Sequence, residues 1–498
     1  MLGECVKIVL IQFYKNSWIL KESNMGFRLE LKIDRESEEA IYFQVYRQIR
    51  DLILNGAISD DSKLPSIREL SHILDVNTLT VINAYKMLEK DKLIYKKEGS
   101  GTFVVPRGKE LLISDEPLYF EPGEIDSEWN YDEDVIDFTS SAPHPELFPV
   151  EDFKKVMNEV LEEDGARAFM YQTSMGYPPL RNTLLCYSER HGIKSNLEDI
   201  YVVSGAQQGI DIVAKALVKN GDYVFVESPT YGGALAAFKS RGAILVEVPL
   251  MEDGPGIKEL EKLVNLFKPV LFYAMPNFNN PTGCTYSERK KKYLLLLARK
   301  HGFRVLEDDY AGDLNFSTSP LLPLKAYDKD NRVIYLKSFS KIFMPGLRLA
   351  YLIVPQEIGG KTANAKIASD ISTSGLMQRV LCRYIEKGIL EKHTNYLKKE
   401  LAIRYLEMVR AVKKCIRGAS LNEPKGGLNL WVSIPKGISS VKLYERCLDK
   451  KVIISPGTFY YRDERGLGYI RISFAGVNIN EIWEGVSIIG TEIEKMRA

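Results

Sequence analysis

The sequence predicts an α/β protein with two folded parts. A small helical module that ends in a β-hairpin precedes a large domain, which we expect to contain a doubly wound, mostly parallel sheet and a smaller α+β part at its C-terminal end. Three observations predict this fold class. The chain has 498 residues, more than one domain usually contains. Helical periods dominate residues 36–106, and from Val135 onward β-prone runs alternate with helical periods.

The composition is that of an ordinary globular protein, and it limits the possible functions. Hydrophobic residues make up 45% and charged residues 27%, and the net charge of +1 gives no overall attraction to nucleic acid or membranes. The six cysteines form no C-x-x-C pair, and with only five histidines we expect no metal site. This cysteine usage indicates a cytoplasmic protein, and no apolar run reaches membrane-spanning length.

The helical module begins with an amphipathic helix between Ala40 and Asn55. Its apolar face consists of Ile41, Val45, Ile49, Leu52 and Ile53. A second helix follows Pro65, with Ser66 as its N-cap and Glu69 as the capping-box partner. A third helix carries Val81, Tyr85 and Leu88, and residues 93–105 predict two strands around a Gly-Ser-Gly turn. This order predicts a winged helix-turn-helix, which places its third helix in the DNA major groove. A winged helix that binds protein is the alternative.

We predict four segments along the chain. Residues 1–35 form an N-terminal extension, and Met25 resembles a second start, so residues 1–24 are expected to lie outside the folded core. The module spans residues 36–106 and the large domain residues 135–498. Residues 107–134 have no helical or strand period and contain prolines and clustered acids, which is typical of a linker.

The predicted sheet of the large domain contains seven β-prone runs. They are Ile200–Ser204, Tyr223–Glu227, Ile244–Val248, Val270–Ala274, Phe303–Asp308, Val333–Leu336 and Leu349–Val354. Helical periods near residues 206–219, 287–301 and 391–415 separate or follow these runs. Such alternation favours an open sheet with helices on both faces, whose ligands bind beyond the carboxyl ends of the strands.

The stretch from Ser338 to Arg348 is the most informative motif of the large domain. It contains the hydroxyls of Ser338 and Ser340, the amine of Lys341 and the guanidinium of Arg348. Hydroxyl and guanidinium groups hold phosphate through charge-assisted hydrogen bonds, and a lysine among other cations becomes nucleophilic because its ammonium form is disfavoured. A phosphorylated aldehyde held as a Schiff base describes pyridoxal 5'-phosphate. The same residues alone also fit an ordinary polar turn.

Two motifs at earlier strand ends suit other parts of such a ligand. The segment Ser204-Gly-Ala-Gln-Gln-Gly opens a helix, and the backbone N–H groups near Ala206 and Gln207 can hold a phosphate. Tyr231, just after the second strand, can stack on a flat heteroaromatic ring. Taken singly, the glycine before a helix and the tyrosine also fit plain structural roles.

Two later motifs supply polar groups for the ring. Asn280, in a turn that follows the fourth strand, can hydrogen-bond a phenolic oxygen, and its bond to Pro281 can be cis. Asp308 ends the fifth strand, where an acid can pair with a protonated pyridine nitrogen, and Tyr310 can reach the adjacent phenolic oxygen. A bare turn and a solvated acidic cap are the alternatives for these segments.

The module resembles the GntR family of bacterial transcription regulators. Four stretches carry the resemblance, namely Leu64-Pro-Ser-Ile-Arg-Glu-Leu, Val76-Asn-Thr-Leu-Thr-Val, Ala84-Tyr-Lys-Met-Leu-Glu and Gly99-Ser-Gly-Thr-Phe-Val. The resemblance implies double-stranded promoter DNA as a partner. It implies contacts from Arg68 on the second helix, from Asn77, Thr78 and Thr80 at the start of the third, and from Gly101 in the wing. The family usually has arginine where this chain has Thr78.

The large domain resembles the fold-type I aminotransferases, which use pyridoxal phosphate. The resemblance implies that Lys341 forms an aldimine with the cofactor and that Arg471, in Tyr469-Ile-Arg-Ile-Ser, binds a substrate carboxylate. The implied cofactor-binding residues are Ala206, Gln207, Tyr231, Asn280, Asp308, Tyr310, Ser338, Ser340, Lys341 and Arg348. Tyr171 matches a tyrosine that reaches the phosphate in the neighbouring subunit, which implies a homodimer.

The combination of both parts resembles the MocR subfamily of GntR regulators. The resemblance implies a regulator that binds promoter DNA and senses an amino-acid-like amine, or pyridoxal phosphate itself, through the aldimine at Lys341. The alternative is a working aminotransferase that acts on an amino acid and a 2-oxo acid. Members that sense γ-aminobutyrate have arginine two residues after the stacking tyrosine, where this chain has Gly233.

Overall fold

The computed structural model divides the chain into two compact units, Met1–Glu110 and Leu111–Ala498. It describes residues 10–11, 18–21, 29–31, 33–35, 40–54, 58, 62–90, 93–97, 101–105, 135–461 and 463–497. The predicted linker and the Gly99-Ser100 part of the predicted turn lie outside the described residues. The segment boundaries predicted from the sequence stay a prediction.

The first unit contains the predicted winged helix-turn-helix. Its elements are β1 (Leu10–Ile11), β2 (Trp18–Lys21), β3 (Leu29–Leu31), α1 (Ile41–Leu54), α2 (Ile67–Leu74), α3 (Thr78–Lys90), β4 (Ile94–Lys97) and β5 (Gly101–Val104). Strands β1, β2 and β3 form an antiparallel sheet, and β4 pairs antiparallel with β5 as the wing. Leu31 lies in the same buried cluster as the inward faces of α1, α2 and α3.

Local side-chain chemistry explains where the module's helices begin. The capping box at α2 is present, because Glu69 N–H donates to Ser66 Oγ at 3.2 Å and Ser66 N–H donates to Glu69 Oε2 at 2.8 Å. At α3, the N–H of Leu79 donates to Asn77 Oδ1 at 2.9 Å. Tyr85 then joins α3 to the start of α2, since its hydroxyl donates to the Pro65 carbonyl. These contacts fix α3 against α2.

The second unit contains a central eight-stranded sheet. Its strands are β7 (Ile200–Val203), β8 (Tyr223–Ser228), β9 (Ile244–Met251), β10 (Gly254–Pro255), β11 (Leu271–Ala274), β12 (Arg304–Asp309), β13 (Val333–Ser338) and β14 (Ala350–Ile353). The spatial order is β10-β9-β8-β11-β12-β13-β14-β7. Neighbours from β9 to β13 are parallel, whereas β14 is antiparallel to both β13 and β7. The predicted mostly parallel sheet is confirmed.

Helices cover this sheet, and a smaller α+β part follows it. The helices of the second unit are α4 (Val150–Asp164), α5 (Pro178–Arg190), α6 (Ala206–Leu217), α7 (Gly232–Lys239), α8 (Ile257–Phe267), α9 (Glu288–His301), α10 (Gln356–Asp370), α11 (Gly375–Glu386), α12 (Ile389–Cys415), α13 (Ser440–Leu448) and α14 (Ile479–Arg497). The remaining strands are β6 (Ile136–Asp137), β15 (Ser420–Leu421), β16 (Asn429–Ser433), β17 (Val452–Ile453), β18 (Ser455–Pro456) and β19 (Tyr469–Ser473). Strands β15, β16, β19 and β18 form an antiparallel sheet, and β6 pairs with β17.

This topology brings several distant segments to one edge of the central sheet. Strands β8, β11, β12 and β13 are parallel neighbours, so their carboxyl ends lie side by side. The residues of all four strands are largely buried in the hydrophobic core, so packing holds the strands in place relative to one another. Among the described helices, none is both long and apolar enough to cross a membrane.

Candidate cofactor site

A cavity of about 260 Å³ lies at this edge of the sheet. Its wall contains every residue that the sequence assigns to the cofactor or to the substrate carboxylate, except Tyr171. These residues are Ala206, Gln207, Tyr231, Asn280, Asp308, Tyr310, Ser338, Ser340, Lys341, Arg348 and Arg471. The fold therefore brings residues from six separate segments of the chain around one small volume.

One end of the cavity has the chemistry of a phosphate site. Helix α6 begins at Ala206, and its N-cap residue Gly205 has no side chain that could accept from the first N–H groups, which suits these groups to a phosphate. The preceding Gly205 has a φ of +90°, and a Cβ there would collide with the Arg348 guanidinium. Ser338 and Ser340 are buried and also contribute to the wall of the cavity. The start of α6 and the Arg348 guanidinium therefore lie close together, and only a glycine at position 205 leaves room for this arrangement.

The Asp308 carboxylate at the end of β12 is suited to a protonated ring nitrogen. It is 4% exposed, and the Tyr273 hydroxyl donates to its Oδ2 at 2.8 Å. Its buried Oδ1 has no hydrogen-bond partner among the described residues, although such atoms are usually paired. Burial raises the pKa of Asp308 to about 6, whereas the Tyr273 hydrogen bond and the charges of Lys337 and Lys341 lower it. An N–H donor bound in the cavity would give Asp308 Oδ1 a hydrogen-bond partner.

A buried cluster of three charged side chains, Lys337, Asp309 and Asp313, affects the charge of Asp308. Lys337 Nζ is 2.6 Å from Asp313 Oδ2 and 3.4 Å from Asp309 Oδ2, and all three side chains are buried. Burial alone would lower the pKa of Lys337, but the two carboxylates raise it. The ammonium therefore stays charged, and its field favours the ionised form of Asp308.

Tyr231 is fixed by its neighbours at the start of α7. Its hydroxyl donates to Gln207 Oε1 at 3.2 Å, and Gln207 Nε2 donates to the Gly233 carbonyl at 2.8 Å. A Cβ at Gly233 would lie 2.5 Å from the Tyr231 ring and 2.6 Å from Gln207 Oε1. Position 233 therefore has no space for a side chain while Tyr231 keeps this orientation.

Arg471 lies on β19 and contributes to the wall of the cavity. Its Nη1 donates to Asn280 Oδ1 at 3.1 Å, and its Nη2 donates to the Thr139 carbonyl and to Ser455 Oγ. The residue is 2% exposed, and its guanidinium lies over the Tyr460 ring. A buried arginine with a rigid fork of donors suits a carboxylate.

Asn280 and Tyr310 complete the wall near this arginine. The Asn280–Pro281 peptide bond is cis, which agrees with the sequence prediction. The Tyr310 hydroxyl donates to the Phe278 carbonyl at 2.7 Å, and burial raises its pKa, so it remains a neutral donor. Both side chains contribute to the wall of the cavity.

Sequence reasoning did not identify several residues of the cavity. Its wall also contains Asp137, Thr139, Ser140, Ser141, Ala142 and Met275. The small polar run after β6 was a usable signal for the loop at residues 139–142, because small side chains allow close approach of a ligand. No comparable signal marks Tyr273, the donor to Asp308, since it lies within an apolar strand.

Tyr171 lies on the surface, away from the cavity wall. It is 86% exposed, and Phe169 and Met170 beside it are 69% and 63% exposed. Three consecutive large exposed apolar residues are unusual on a monomer surface.

The residues assigned to DNA contact lie on the surface of the first unit. Arg68, Asn77 and Thr78 are exposed, and Thr80 is half-buried. Gly101 starts the second wing strand with a φ of +122°, and a Cβ there would lie 2.8 Å from Lys63 Cε. Leu79, which sequence reasoning did not single out, is 60% exposed at the start of α3.

Comparison with known proteins matches both parts of the chain. The family of aminotransferases class I and II matches residues 133–489, and the gntR family of bacterial regulatory proteins matches residues 41–104. The chain is 30% identical over 469 residues to YdfD, an uncharacterized HTH-type transcriptional regulator of Bacillus subtilis (strain 168), over 91% of this chain and 96% of that protein.

Two proteins named as aminotransferases match about three quarters of the chain. Aromatic-amino-acid aminotransferase 1 of Thermococcus litoralis is 34% identical over 369 residues, which cover 73% of this chain and 88% of that protein. The crystal structure of Pyrococcus horikoshii kynurenine aminotransferase in complex with PMP, KYN and KYA superposes with a TM-score of 0.72 at 34% identity, over 76% of this chain and 95% of that chain.

These matches confirm the predicted fold class. The regulator relative covers 91% of this chain, whereas the two aminotransferases cover 73% and 76% of it. The chain therefore belongs to the class I and II aminotransferase family and, because a GntR-type DNA-binding domain precedes that fold, to the MocR-type transcription regulators.

Proposed function

We propose that this chain is a pyridoxal phosphate-dependent transcription regulator. It binds promoter DNA through α2, α3 and the wing, and it detects an amino-acid-like amine, or the cofactor itself, at Lys341. The observation that carries the proposal is one cavity that contains Lys341, a half-paired Asp308 and Arg471, in a chain with a GntR-type module. These groups suit the aldehyde carbon, the ring nitrogen and an effector carboxylate, respectively.

Different residues of the cavity would bind different parts of the cofactor. When bound, pyridoxal phosphate supplies an electrophilic carbon and an electron-withdrawing ring. Asp308 pairs with the ring nitrogen, Tyr231 stacks on the ring, and Asn280 and Tyr310 contact the phenolic oxygen. The phosphate is held by the α6 N-terminus at Ala206 and Gln207 and by Ser338, Ser340 and Arg348. Lys341 would hold the aldehyde carbon through its amine, and an effector amine would compete with it for that carbon.

Arg471 gives a physical route from effector binding to a change of structure. Its guanidinium holds the loop after β6 through the Thr139 carbonyl and the turn before α9 through Asn280. An effector carboxylate competes for the same donors, so its binding loosens or redirects these two segments. A ligand shifts a conformational equilibrium only by its differential affinity for the two states, and these contacts supply that difference.

The crowding at Gly233 narrows the class of effector. Because a Cβ there would meet both Tyr231 and Gln207, no second carboxylate-binding side chain fits at this position. The cavity therefore favours effectors recognised through one carboxylate at Arg471. An α-amino acid has this arrangement, whereas a ligand that needs an arginine at position 233 does not find one.

A homodimer is part of the proposal. The exposed segment Phe169–Tyr171 supports it, because a second copy would cover these apolar side chains. Tyr171 of each subunit then reaches the phosphate of the other. Two paired modules would also read two half-sites on promoter DNA, which is the usual geometry of dimeric helix-turn-helix regulators.

The second candidate function is an aminotransferase that acts on an amino acid and a 2-oxo acid. The complete set of cavity residues and the identity to aminotransferases favour it. Amino-acid-dependent formation of a 2-oxo acid by the purified full chain measures this activity directly. Turnover without any effect of the amino acid on DNA binding would support the enzyme over the sensor.

The main test is a gel shift on the DNA upstream of this gene, with and without pyridoxal phosphate and a panel of amino acids. We expect Arg68→Ala to weaken binding by about tenfold or more, because an exposed arginine on the DNA-facing side contributes base or phosphate contacts. The cofactor spectrum of this variant should be unchanged, since Arg68 lies in the other unit.

Arg47→Ala is the matched control for Arg68→Ala. It makes the same change at an exposed position of the module, on α1, and should leave DNA affinity unchanged. If neither Arg68→Ala nor deletion of residues 1–106 affects DNA binding, the regulator function is wrong and the enzyme function takes its place.

The pKa of Asp308 predicts how cofactor binding depends on pH. Because the pKa of about 6 lies above the ordinary value, the anion is lost early as the pH falls, and its pairing with a protonated ring nitrogen is lost with it. We expect the affinity for pyridoxamine 5'-phosphate, which cannot react with Lys341, to fall about tenfold from pH 7 to pH 5. Calorimetry at both pH values measures this change.

Asp308→Asn separates this effect from titration of the ligand phosphate. The variant keeps the shape of the side chain but has no group that titrates at this position, so only the phosphate contribution should remain. An identical pH dependence in both proteins would contradict the role assigned to Asp308.

A further inference from the structure

Glu227 is a buried acid next to the cavity but is not part of its wall. It lies near the end of β8 and is 1% exposed. Three donors converge on its carboxylate: the Tyr286 hydroxyl on Oε1 at 2.5 Å, and Met275 N–H at 3.0 Å and Asn279 Nδ2 at 2.8 Å on Oε2. Burial raises the pKa of Glu227 to about 7, although these hydrogen bonds lower it. Such a group is costly to bury, so its contacts invite a functional explanation.

Asn279 is the most consequential of these partners. It is fully buried, and its Oδ1 accepts from Thr282 N–H at 3.2 Å and from Thr282 Oγ1 at 2.8 Å. Its N–H donates to the Cys284 carbonyl, and its carbonyl accepts from Gly283 N–H. Asn279 therefore organises the whole turn between β11 and α9. Since an acceptor at Glu227 must face the amide nitrogen, Glu227 determines which way the Asn279 amide points.

The next residue in this turn is Asn280, which does face the cavity. Its Oδ1 accepts from Arg471 Nη1 at 3.1 Å. We infer that Glu227 is a positioning residue: through Asn279 it holds Asn280 where that side chain can orient Arg471 for a carboxylate and contact the phenolic oxygen of the cofactor. This inference rests on the proposed cofactor function. Glu227 touches neither ligand nor reacting atoms, so it is not a catalytic residue.

The chemistry of this contact predicts which substitutions matter. Glu227→Met has a similar volume but no acceptor, so the buried Asn279 amide and Met275 N–H lose their partner and the turn must move. Glu227→Gln keeps an acceptor oxygen for both groups, and its NH₂ can donate to the Tyr286 hydroxyl. The inference therefore predicts loss of function in Glu227→Met and rescue in Glu227→Gln.

Two readouts on the full chain loaded with pyridoxal phosphate report on Asn280. The first is the ratio of apparent affinities for L-alanine and ethylamine, which differ by the carboxylate. We expect Glu227→Met to lower the preference for L-alanine over ethylamine about tenfold. The second is the pH midpoint of the visible absorption of the bound cofactor. A donor on the phenolic oxygen disperses its negative charge, so a displaced Asn280 should shift this midpoint upward.

Glu307→Met is the matched control. Glu307 is also fully buried, and its carboxylate accepts from Leu324 N–H and Lys325 N–H, which belong to another segment. The same substitution there should lower thermal stability but leave the alanine-to-ethylamine ratio and the pH midpoint unchanged. Equal changes in both variants would mean general destabilisation and would overturn the inference.

Glu227→Asp carries the test if Glu227→Met does not fold. It keeps the carboxyl group but retracts it by one methylene, so both readouts should shift in the same direction as in Glu227→Met. A wild-type ratio and midpoint in Glu227→Met, or in Glu227→Asp if Glu227→Met does not fold, would overturn the inference. If the unsubstituted chain does not bind pyridoxal phosphate, the proposed function itself is wrong. This result is distinct from one that contradicts only the role of Glu227.

Discussion

Lys341→Ala is expected to abolish the visible absorption that pyridoxal phosphate acquires on binding to this protein. The wall of the cavity includes Lys341 together with the phosphate residues Ser338, Ser340 and Arg348, so its amine is the group proposed to bond the cofactor aldehyde. Without this amine the link cannot form, and the loss should be complete rather than partial. Absorption spectra of the purified variant after incubation with the cofactor measure the result.

Lys329→Ala is a suitable control, because this lysine is exposed on a different segment. It should keep the wild-type spectrum. Reduction of the wild-type complex with borohydride, followed by mass spectrometry of its peptides, should place the added mass on Lys341. An unchanged spectrum in Lys341→Ala, or the added mass on another lysine, would remove the central assignment.

Arg471→Lys is expected to have the second largest effect, a loss of preference for L-alanine over ethylamine of about 100-fold. Arginine donates two parallel hydrogen bonds to a carboxylate, whereas lysine offers one point charge. Burial strengthens the difference, because little water screens the interaction at a residue that is 2% exposed. Titration of the cofactor spectrum with each amine gives the ratio.

The affinity for ethylamine distinguishes this outcome from misfolding. It should stay near the wild-type value in Arg471→Lys, because ethylamine has no carboxylate to bind. Arg410→Lys, at an exposed arginine on α12, provides the same change outside the cavity. If Arg471→Lys keeps the wild-type preference for L-alanine, another group binds the carboxylate and the proposed sensing route is wrong.

Gly205 and Gly233 are two positions where the sequence pattern does not show which side chains pack against the glycine. Gly205 is the residue before α6 in the predicted phosphate motif, but only the structure reveals that the Arg348 guanidinium occupies the space of its missing Cβ. Gly233 is a plain departure from a family pattern in the sequence. In the structure it is a position that Tyr231 and Gln207 close to any side chain.

The amino-acid sequence predicted most of the secondary structure and the candidate site residues. Apolar periods predicted α1, α2 and α3 and seven of the eight strands of the central sheet, all except β10, because hydrophobic spacing reflects which face of an element is buried. The motifs could be assembled in advance because parallel strands end at one edge, so Asn280, Asp308 and Lys341 had to converge. Tertiary structure alone decided the partners that orient these groups. Tyr273 and Asp308, Glu227 and Asn279, and Thr139 and Arg471 are 35, 52 and 332 residues apart. No local pattern records such pairs, because each forms only when packing brings two distant segments within hydrogen-bond distance.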